Sequence, residues 1–535
     1  MSTRVRDLRI RSAAGMVPVP DGDGMTALMA AISGGHLAVV RVLCAVEGLD
    51  INQTTTNGDT ALLTAVHAKQ GEAVREILAV ESVDVNLGLQ RIPVYGGRVS
   101  ADNRSTALML AAASGQLEVV RALLAHARID VNVGTQLGTA LSLAAGSGHE
   151  EVVRALLAVP NLDANACGYS AYRHSDNPLM KAAEHGHAEI VRMLLAANVD
   201  SSTEFGRWPA LMHAAGGPLQ FGGDSHGSGD VETVRLLLAV PGVDVNAKYE
   251  HFVWEGYSMF THGFTVLMHA AEKGHAEIVK ALLEVDGIDV NAADGEGVTA
   301  LTFAALGRHT EVVLALLAVP TIDVNAGHPW PSALFFASVF GDVDIVRALV
   351  ATGRVDINAL IEYYDVDEMR TVHTTALMGA AAAGTAEVVS VLLAVRLAQP
   401  FVSLRLTTAA WRDSDSGIVE AGLCVEAGLR VNVVDDDGDT ALIIAARNGH
   451  AEVVRALVAA PRVEVNQENS AGDTALTIAA AGDRTDVVSA LLAAPGVNAP
   501  DADTIMESRE RWRRRDAERE EQREREEAMW RSMRC

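Results

Sequence analysis

Histidine serves both as an acid–base catalyst and as a zinc ligand, and Gly-His pairs recur along this chain. A zinc site needs three or four ligands brought close together, whereas these histidines are widely separated in sequence. His185 and His187 stand two positions apart, but no third ligand lies near them. We therefore expect structural hydrogen bonds from the Gly-His histidines, and no metal site. These residues are His36, His149, His187, His275 and His450.

Four aspartates lie within residues 435–439 and suggest the oxygen ligands of a calcium loop. The spacing does not fit such a loop, because the first ligand position is Val433 and the closing glutamate position is Ile444. Gly438 supplies a residue that tolerates the left-handed backbone of a tight turn. We expect this run to form a solvated loop tip.

The sequence carries none of the common catalytic motifs. It contains no GxxxxGK[ST] phosphate loop, no HExxH zinc motif and no GxSxG nucleophile turn. We therefore predict a non-catalytic protein that uses no cofactor. An enzyme is the least favoured alternative.

Composition and charge limit the class of partner. The net charge of −26 opposes nucleic-acid binding, because phosphate groups attract basic surfaces. The four cysteines form no CxxC pair, which fits a reducing compartment. The first residues, MSTRVRDLRIRSAAG, lack the apolar stretch of a secretory signal; their arginines suggest a transit peptide, which Asp7 opposes. We expect a cytoplasmic protein, or alternatively a nuclear one, without membrane insertion.

Aromatic residues make up only 4% of the chain, yet residues 247–264 hold six of them in eighteen positions. All seven tyrosines lie in four segments, at 87–105, 166–176, 247–264 and 359–374. Tyrosine and tryptophan combine a large apolar face with a polar group, which makes them frequent at binding surfaces. The alternative is that these rings cover one another within each segment. The predicted partner-binding residues are Tyr95, Trp208, Tyr249, Phe252, Trp254, Tyr257, Phe260, Trp330, Tyr363 and Tyr364.

The aromatic segments interrupt a regular sequence repeat. Thr or Ser followed by Ala or Val and then Leu recurs along the chain, and in eight repeats an Asn stands 26 positions later. Undisturbed repeats lie 33 or 34 residues apart. About thirteen repeats fit between residues 26 and 498, with degenerate copies starting near Asn177, Pro209 and Leu406. A period of this length is typical of a solenoid of stacked supersecondary motifs.

The repeat from Thr106 to Asn132 predicts two helices followed by an extended loop. Thr106 is a candidate N-cap, and Gly115 ends the first helix. Val119 and Leu123 stand at helical spacing in the second helix, and the Asp-Val-Asn ending then turns the chain outward. Neither helix can bury its apolar face alone, so neighbouring repeats must stack.

This pattern resembles the ankyrin repeat. The Thr-x-Leu opening, the A-A-x-x-G-H-x-E-V-V-R-x-L-L middle, the period of 33 and the Asp-Val-Asn ending all match. The family's Thr-Pro-Leu-His opening reads Thr-Ala-Leu-Met here, at residues 26–29 and 106–109. The resemblance implies an all-α ankyrin-repeat solenoid of stacked helix-turn-helix motifs with β-hairpin-like fingers. It also implies that partner proteins meet the concave face built from fingers and first helices.

Departures from the repeat define the predicted organisation of the chain. A regular repeat needs only a six- or seven-residue connection between its Asn and the next Thr, and longer connections are often functional. The predicted segments are an N-terminal segment or cap at 1–25, the main array at 26–398, a degenerate repeat at 399–432, C-terminal repeats at 433–498 and a charged helical tail at 499–535. Within the main array we predict long fingers at 87–105, 166–176, 247–264 and 359–374 and an inter-helix insertion at 216–230.

Two C-terminal features carry further expectations. The first helix of the degenerate repeat, at 410–417, has charges where other repeats have alanine, so it buries little and we predict a hinge. The tail pairs Glu with Arg four residues later, the favourable order on a helix, which predicts a solvated helix. Alternatives for the tail are docking of Trp512 or Trp530 as a cap of the array, or a nuclear-import signal around Arg511.

The leading hypothesis is a monomeric, non-catalytic scaffold that binds partner proteins through its fingers and first helices. In the alternative, an adaptor holds a client on the array and recruits an effector through its tail. The resemblance also implies hydroxylation of the Asn that ends a repeat, with Asn132, Asn246 and Asn291 as candidates.

Overall fold

A computed structural model describes most of the chain as paired helices. The chain comprises two compact units, Met1–Val245 and Asn246–Cys535. The residues that the structure describes are 23–88, 105–135, 137–167, 177–201, 209–216, 229–255, 257–327, 332–365, 370–395, 429–511 and 513–514.

The described residues of the first unit form six helix pairs and one short antiparallel ladder. The strands of the ladder are β1 (Gly134–Thr135) and β2 (Gly138–Thr139). The helices are α1 (Ala27–Ser33), α2 (Leu37–Cys44), α3 (Ala61–His67), α4 (Gly71–Leu78), α5 (Ala107–Ala113), α6 (Leu117–Leu124), α7 (Ala140–Gly146), α8 (Glu150–Leu157), α9 (Pro178–Glu184), α10 (Ala188–Ala196), α11 (Ala210–Ala214) and α12 (Val231–Leu238).

The described residues of the second unit form six more helix pairs and two hairpins. The hairpins are β3 (Tyr249–Glu255) with β4 (Tyr257–Phe264), and β5 (Ile361–Asp365) with β6 (Arg370–Thr374). The helices are α13 (Val266–Glu272), α14 (Ala276–Leu283), α15 (Ala300–Leu306), α16 (Thr310–Leu317), α17 (Ala333–Phe340), α18 (Val343–Ala351), α19 (Ala376–Ala383), α20 (Ala386–Leu393), α21 (Ala441–Asn448), α22 (Ala451–Val458), α23 (Ala475–Ala481) and α24 (Thr485–Leu492).

These twelve pairs start where the sequence repeat predicts, including the degenerate copies at Asn177 and Pro209. The thirteenth copy, expected from Leu406, falls on residues outside the described ranges. The mostly helical fold with small hairpins confirms the predicted solenoid class.

Threonine caps begin most of the first helices. Thr60 has an extended backbone, and its Oγ1 accepts a hydrogen bond of 3.2 Å from the Leu63 amide. Such a bond satisfies one of the amides that a helix start leaves without an intrahelical partner. The same contact at Thr106 confirms the N-cap predicted there. In a degenerate repeat Asn177 replaces threonine, and its Oδ1 accepts from the Met180 amide at 2.9 Å.

Within each unit, first helices stack on first helices and second helices on second helices. In the first unit α5 contacts α7 and α6 contacts α8, and in the second unit α15 contacts α17 and α16 contacts α18. The stacked faces consist of small and aliphatic residues, such as the fully buried Ala111, Ala112, Val120 and Leu123. Small residues on the first helices let neighbouring pairs approach closely, which gives a thin, densely packed core.

Asparagine side chains tie each loop to the next repeat. Nδ2 of Asn132 donates to the Asn161 carbonyl at 2.8 Å, and its Oδ1 accepts from the Asp163 amide at 2.8 Å. Each asparagine thus satisfies two backbone groups of the following loop. We call this series the asparagine ladder. The same pair of bonds forms at Asn52, Asn86, Asn246, Asn291, Asn325, Asn432 and Asn466.

Histidines of the Gly-His pairs also bridge neighbouring repeats. Nε2 of His149 hydrogen-bonds to the Ala113 carbonyl at 3.1 Å, and Nε2 of His187 to the Gly146 carbonyl at 3.2 Å. His450 makes the same bond, at 3.0 Å, to a carbonyl of α19. Burial lowers the pKa of His187, which favours its neutral form. At these three positions the predicted structural role of the pair is confirmed.

The stack continues across the predicted hinge segment. α19 contacts α21 and α20 contacts α22. Oδ1 of Asn358 accepts from the Arg430 amide at 2.7 Å, and Nδ2 of Asn448 donates to the Ala382 carbonyl at 3.0 Å. Residues 396–428 lie outside the described ranges. The described helices on either side are direct neighbours, joined by the same kinds of contact as other pairs, and the hinge stays a prediction.

Candidate protein-binding surface

The long finger at 247–264 is an antiparallel hairpin. Its register places Phe252 opposite Phe260, while Trp254 and Tyr257 lie at the far end of the two strands. Tyr249 lies at the base, beside an irregularity in the pairing, and is half-buried. The structure therefore brings five of the predicted aromatic residues onto one hairpin. The positions of the side chains from 250 to 262 lie outside what the structure describes, so ring-on-ring packing here stays an alternative.

The finger at 359–374 is a second hairpin, and Tyr363 and Tyr364 lie on its first strand. Its base is joined to the neighbouring loop through His373, whose backbone amide donates to Asp436 at 3.0 Å. The His373 ring contacts the same carboxylate, with Nδ1 3.0 Å from Oδ1. This contact ties the base of the finger to the loop before α21.

Three predicted residues lie outside the described ranges. They are Tyr95, Trp208 and Trp330. Most of the predicted fingers at 87–105 and 166–176, and most of the insertion at 216–230, also fall outside these ranges. A role in binding for these three residues remains a prediction.

A second aromatic group lies on the first helices α15 and α17, and the sequence prediction missed it. Phe340 is 40% exposed, and its ring stacks on that of Phe336 with centroids 6.2 Å apart. Leu306 is 41% exposed, and Phe303, almost one turn earlier on α15, is half-buried. We call Phe303, Leu306, Phe336 and Phe340 the α15–α17 patch. The other described first helices end in small or polar residues, such as Ala113, Gly146 and Glu184.

The hairpin β3–β4 is joined to this patch. Phe264 ends the hairpin, is 1% exposed and packs edge-on against Phe303, with ring centroids 5.2 Å apart. Lys248, just before β3, donates from Nζ to the Ala293 carbonyl at 2.9 Å. The aromatic finger and the α15–α17 patch are therefore connected by direct contacts within the second unit.

The bulk of α17 is accommodated by a glycine in α19. A Cβ atom on Gly379 would lie 2.8 Å from Cε2 of Phe335 and 2.9 Å from Cγ2 of Val339. Real Cβ atoms do not approach other atoms so closely, so Gly379 leaves the room that Phe335 fills. The sequence signal for this region was the string ALFFASVF in α17, which holds three of the ten phenylalanines of the chain.

A charged pair follows the helices of the patch. Nε of Arg308, two residues after Leu306, donates to Oδ2 of Asp342 at 2.9 Å, and its Nη2 donates to Oδ1 at 2.9 Å. The hydrogen bond to Asp342 raises the pKa of Arg308, which therefore stays charged. An apolar centre beside a polar, ion-paired border is the usual anatomy of a protein interface.

The second helices present a different surface, a stripe of exposed ion pairs. Nζ of Lys280 lies 2.6 Å from Oε1 of Glu277, and Nη1 of Arg192 lies 2.8 Å from Oε2 of Glu189. Exposed pairs of this kind contribute little to stability because water and salt screen them, and charged groups are depleted at interface centres. In α16 the position of the cation is taken by Leu314, which is 51% exposed.

The aspartate run at 435–439 is less solvated than the sequence suggested. Oδ1 of Asp435 accepts from the amides of Asp437 and Asp439, at 3.0 Å and 2.8 Å. Asp439 is fully buried and ion-paired with Arg447, so the expected solvated tip is wrong for this residue. Burial, together with the charges of Asp439 and Asp437, raises the pKa of Asp435 to about 6.

Neither a metal centre nor a membrane span is found in the described part of the chain. Over those residues, no group of three or more His, Cys, Asp or Glu side chains is arranged to hold a metal ion. Within the same ranges, no helix is both long enough and apolar enough to cross a bilayer.

The stacked helix pairs, capped first helices and hairpin fingers define a helical repeat solenoid. A family model described as ankyrin repeats (3 copies) matches residues 8–88, 89–167, 159–249, 224–328 and 406–503. The chain belongs to the ankyrin repeat family. Ankyrin repeats generally mediate protein–protein interaction and are typically non-catalytic. A search of curated proteins finds no match to the chain.

The ranges matched by the family model leave out residues 329–405. This interval contains α17 to α20, including Phe336 and Phe340 of the patch and the tyrosines of the second hairpin. The helix pairs there stack like the others, so the departure from the family pattern concerns surface and finger residues more than the backbone fold.

Proposed function

We propose that this chain is a non-catalytic scaffold that binds a partner protein on the α15–α17 patch and the adjoining hairpin β3–β4. The observation that carries the proposal is the exposure of Leu306 and Phe340 on neighbouring first helices, at 41% and 40%. Exposed apolar residues that cluster on one surface mark interaction sites far more often than scattered ones do. A monomer acting in the cytoplasm or nucleus is part of the same proposal.

The energetics favour an apolar anchor on the partner. Covering the exposed parts of Leu306 and Phe340 contributes about 1 kcal/mol for each residue, at the usual value per unit of apolar area. Aromatic residues surrounded by polar ones are also the positions at which interface energy concentrates. We therefore expect the partner to present aliphatic or aromatic side chains to the patch, with polar groups facing Arg308 and Asp342.

Site-specific crosslinking tests where the partner binds. A photoreactive amino acid replaces Leu306 in one variant and Leu314 in another. Both positions are exposed leucines of the same helix pair, but Leu314 lies on the second helix. We expect irradiation in cells to attach a discrete protein at position 306 and not at position 314. Equal crosslinking at the two positions, or at neither, would count against the proposal.

The contribution of the hairpin is tested separately. Replacing Phe252, Trp254 and Tyr257 by alanine removes three rings of β3–β4 and leaves the α15–α17 patch intact. If the finger contacts the partner, affinity capture with this variant recovers less of the protein crosslinked at position 306. Unchanged recovery would show that these rings serve the finger itself.

A further inference from the structure

The sequence Gly-Asp-Thr-Ala-Leu begins three of the first helices, and each aspartate has a basic side chain near it. In the first case Nε2 of His67 lies 3.9 Å from Oδ1 of Asp59. In the second, Arg447 pairs with Asp439, whose side chain is fully buried. His67 and Arg447 occupy the same place, eight positions after the aspartate. The base therefore comes from the helix that the aspartate precedes.

The third copy, before α23, lacks this internal base. Eight positions after Asp473 stands Ala481, which is 4% exposed and carries no charge. Asp473 is itself only 4% exposed, and burying an unpaired carboxylate is costly. Its cation comes from elsewhere, because Nη2 of Arg511 lies 2.5 Å from Oδ1 of Asp473.

Arg511 belongs to a helical stretch at residues 502–511. Ser508 on this stretch is 2% exposed, so the helix lies against other parts of the chain instead of standing free in solvent. The start of the stretch is capped, since Oδ1 of Asp501 accepts from the Thr504 amide at 2.8 Å. The predicted tail, 499–535, thus begins with a docked helix.

We propose that residues 502–511 are the cap of the last described repeat, held there because Arg511 replaces the base that Ala481 cannot supply. The chain carries its own ligand for the Asp473 carboxylate. Loss of Arg511 would leave the buried Asp473 carboxylate without this base, so α23 and residues 502–511 should both lose protection. Truncation at residue 498 would remove this cap, whereas truncation after residue 514 would keep it.

A compensation experiment in the full-length chain tests the proposal. Arg511→Ala removes the cation, and the double variant Arg511→Ala/Ala481→Arg restores one in the position that Arg447 holds in its own repeat. Arg509→Ala is the matched control, because Arg509 is two residues away and its ion pair among the described residues is a 3.9 Å contact with the exposed Asp483. Hydrogen exchange is measured for α23, for residues 502–511 and for the distant α15.

Arg511→Ala is expected to speed exchange about tenfold in α23 and in residues 502–511, with α15 unchanged. The double variant is expected to restore protection of α23 while residues 502–511 still exchange fast. Arg509→Ala should match the wild type. Wild-type exchange in Arg511→Ala, or no recovery of α23 in the double variant, would overturn the proposal; unchanged α15 shows in either case that the array is folded.

Discussion

The first helices α5 and α7 and the first helices α15 and α17 stack in the same way. All four helices have a hydroxyl residue at the N-cap position. One helix of each set, α7 and α15, is followed by a histidine that bridges to the preceding pair. His149 bonds to the Ala113 carbonyl at 3.1 Å, and His309 bonds to the Glu272 carbonyl at 2.9 Å. The asparagine ladder runs through both sets.

The surfaces of the two sets differ. α5 ends in Ala113 and α7 in Gly146, whereas α15 ends in Leu306 and α17 in Phe340. The shared bonds involve backbone groups and buried faces, so the exposed positions of the first helices are free to vary without loss of the stack. The comparison indicates that repeated contacts supply stability, and it is on the departures at the exposed face that we propose the partner binds.

The largest expected effect falls on the asparagine ladder. Asn132→Ala and Asn291→Ala each leave a backbone carbonyl and an amide without their partner, at a cost of about 2–3 kcal/mol. Hydrogen exchange of the two following loops should show equal losses of protection, because both asparagines make the same two bonds. A loss confined to one of the two loops would mean that the stacks are not equivalent.

Glycine-to-alanine substitutions in α19 and α7 are expected to have smaller effects on stability. The two effects should be opposite in sign. Gly379→Ala in α19 forces a Cβ into Phe335 and Val339, which costs about 1–2 kcal/mol. Gly146→Ala in α7 meets Lys181 and His185 at ordinary contact distances, so the helix propensity of alanine stabilises the protein by about 0.5 kcal/mol. Thermal unfolding of both variants checks this. A stabilised Gly379→Ala would show that α17 is loosely packed.

A further comparison concerns Asp435 and Asn469, which hold the same turn in successive loops. Each side chain accepts from the amides two and four residues later, and Asn469 does so without charge. Because the pKa of Asp435 is raised to about 6, its folded form holds a proton more tightly than the unfolded chain does. Wild-type stability from this group is therefore present below about pH 4 and is lost as the pH rises through 6.

Asp435→Asn should accordingly stabilise the protein at pH 7 by about 1 kcal/mol, a value discounted for the partial exposure of the group. At pH 4 the advantage should disappear, since the wild-type carboxyl is then protonated when folded. Denaturant unfolding at the two pH values measures the difference. An equal gain at both pH values would show that the charge of Asp435 is not the cause.

The smallest expected difference is in the hydrogen-exchange protection of α21, which stacks on α19, compared with that of α17. The contacts of α19 with α21 match those of α15 with α17, so exchange protection of α21 should equal that of α17 within about threefold. Native-state hydrogen exchange measures both helices in one sample. Much faster exchange in α21 would contradict this equality and support the hinge predicted from the sequence.

Most of the fold could be predicted from the sequence because the residues that make each kind of contact recur in many repeats. The threonine caps, the Gly-His pairs and the apolar faces recur at fixed spacing, and spacing decides which side of a helix is buried. The direct stacking of α19 on α21 could not be predicted, since charges within residues 410–417 say nothing about which helices become neighbours.

The candidate site was predicted only in part. The clustering of tyrosines indicates the fingers as binding sites. The phenylalanines of α17 fit the apolar pattern of a helix, and that pattern does not distinguish phenylalanine from other apolar residues. Their exposure depends on which face of α17 the neighbouring helices leave open, and that follows from stacking. Likewise Arg511 and Asp473 are too far apart in sequence for any local pattern to pair them.

The most direct test of the central claim is the affinity of the protein crosslinked at position 306 for two variants of the full chain. Leu306→Ser/Phe340→Ser removes the exposed part of the α15–α17 patch, and Leu314→Ser removes an exposed leucine from the second-helix surface. Titration calorimetry should show the double variant weakened about thirtyfold, equal to about 2 kcal/mol, with Leu314→Ser like the wild type. Wild-type affinity in the double variant would contradict the account.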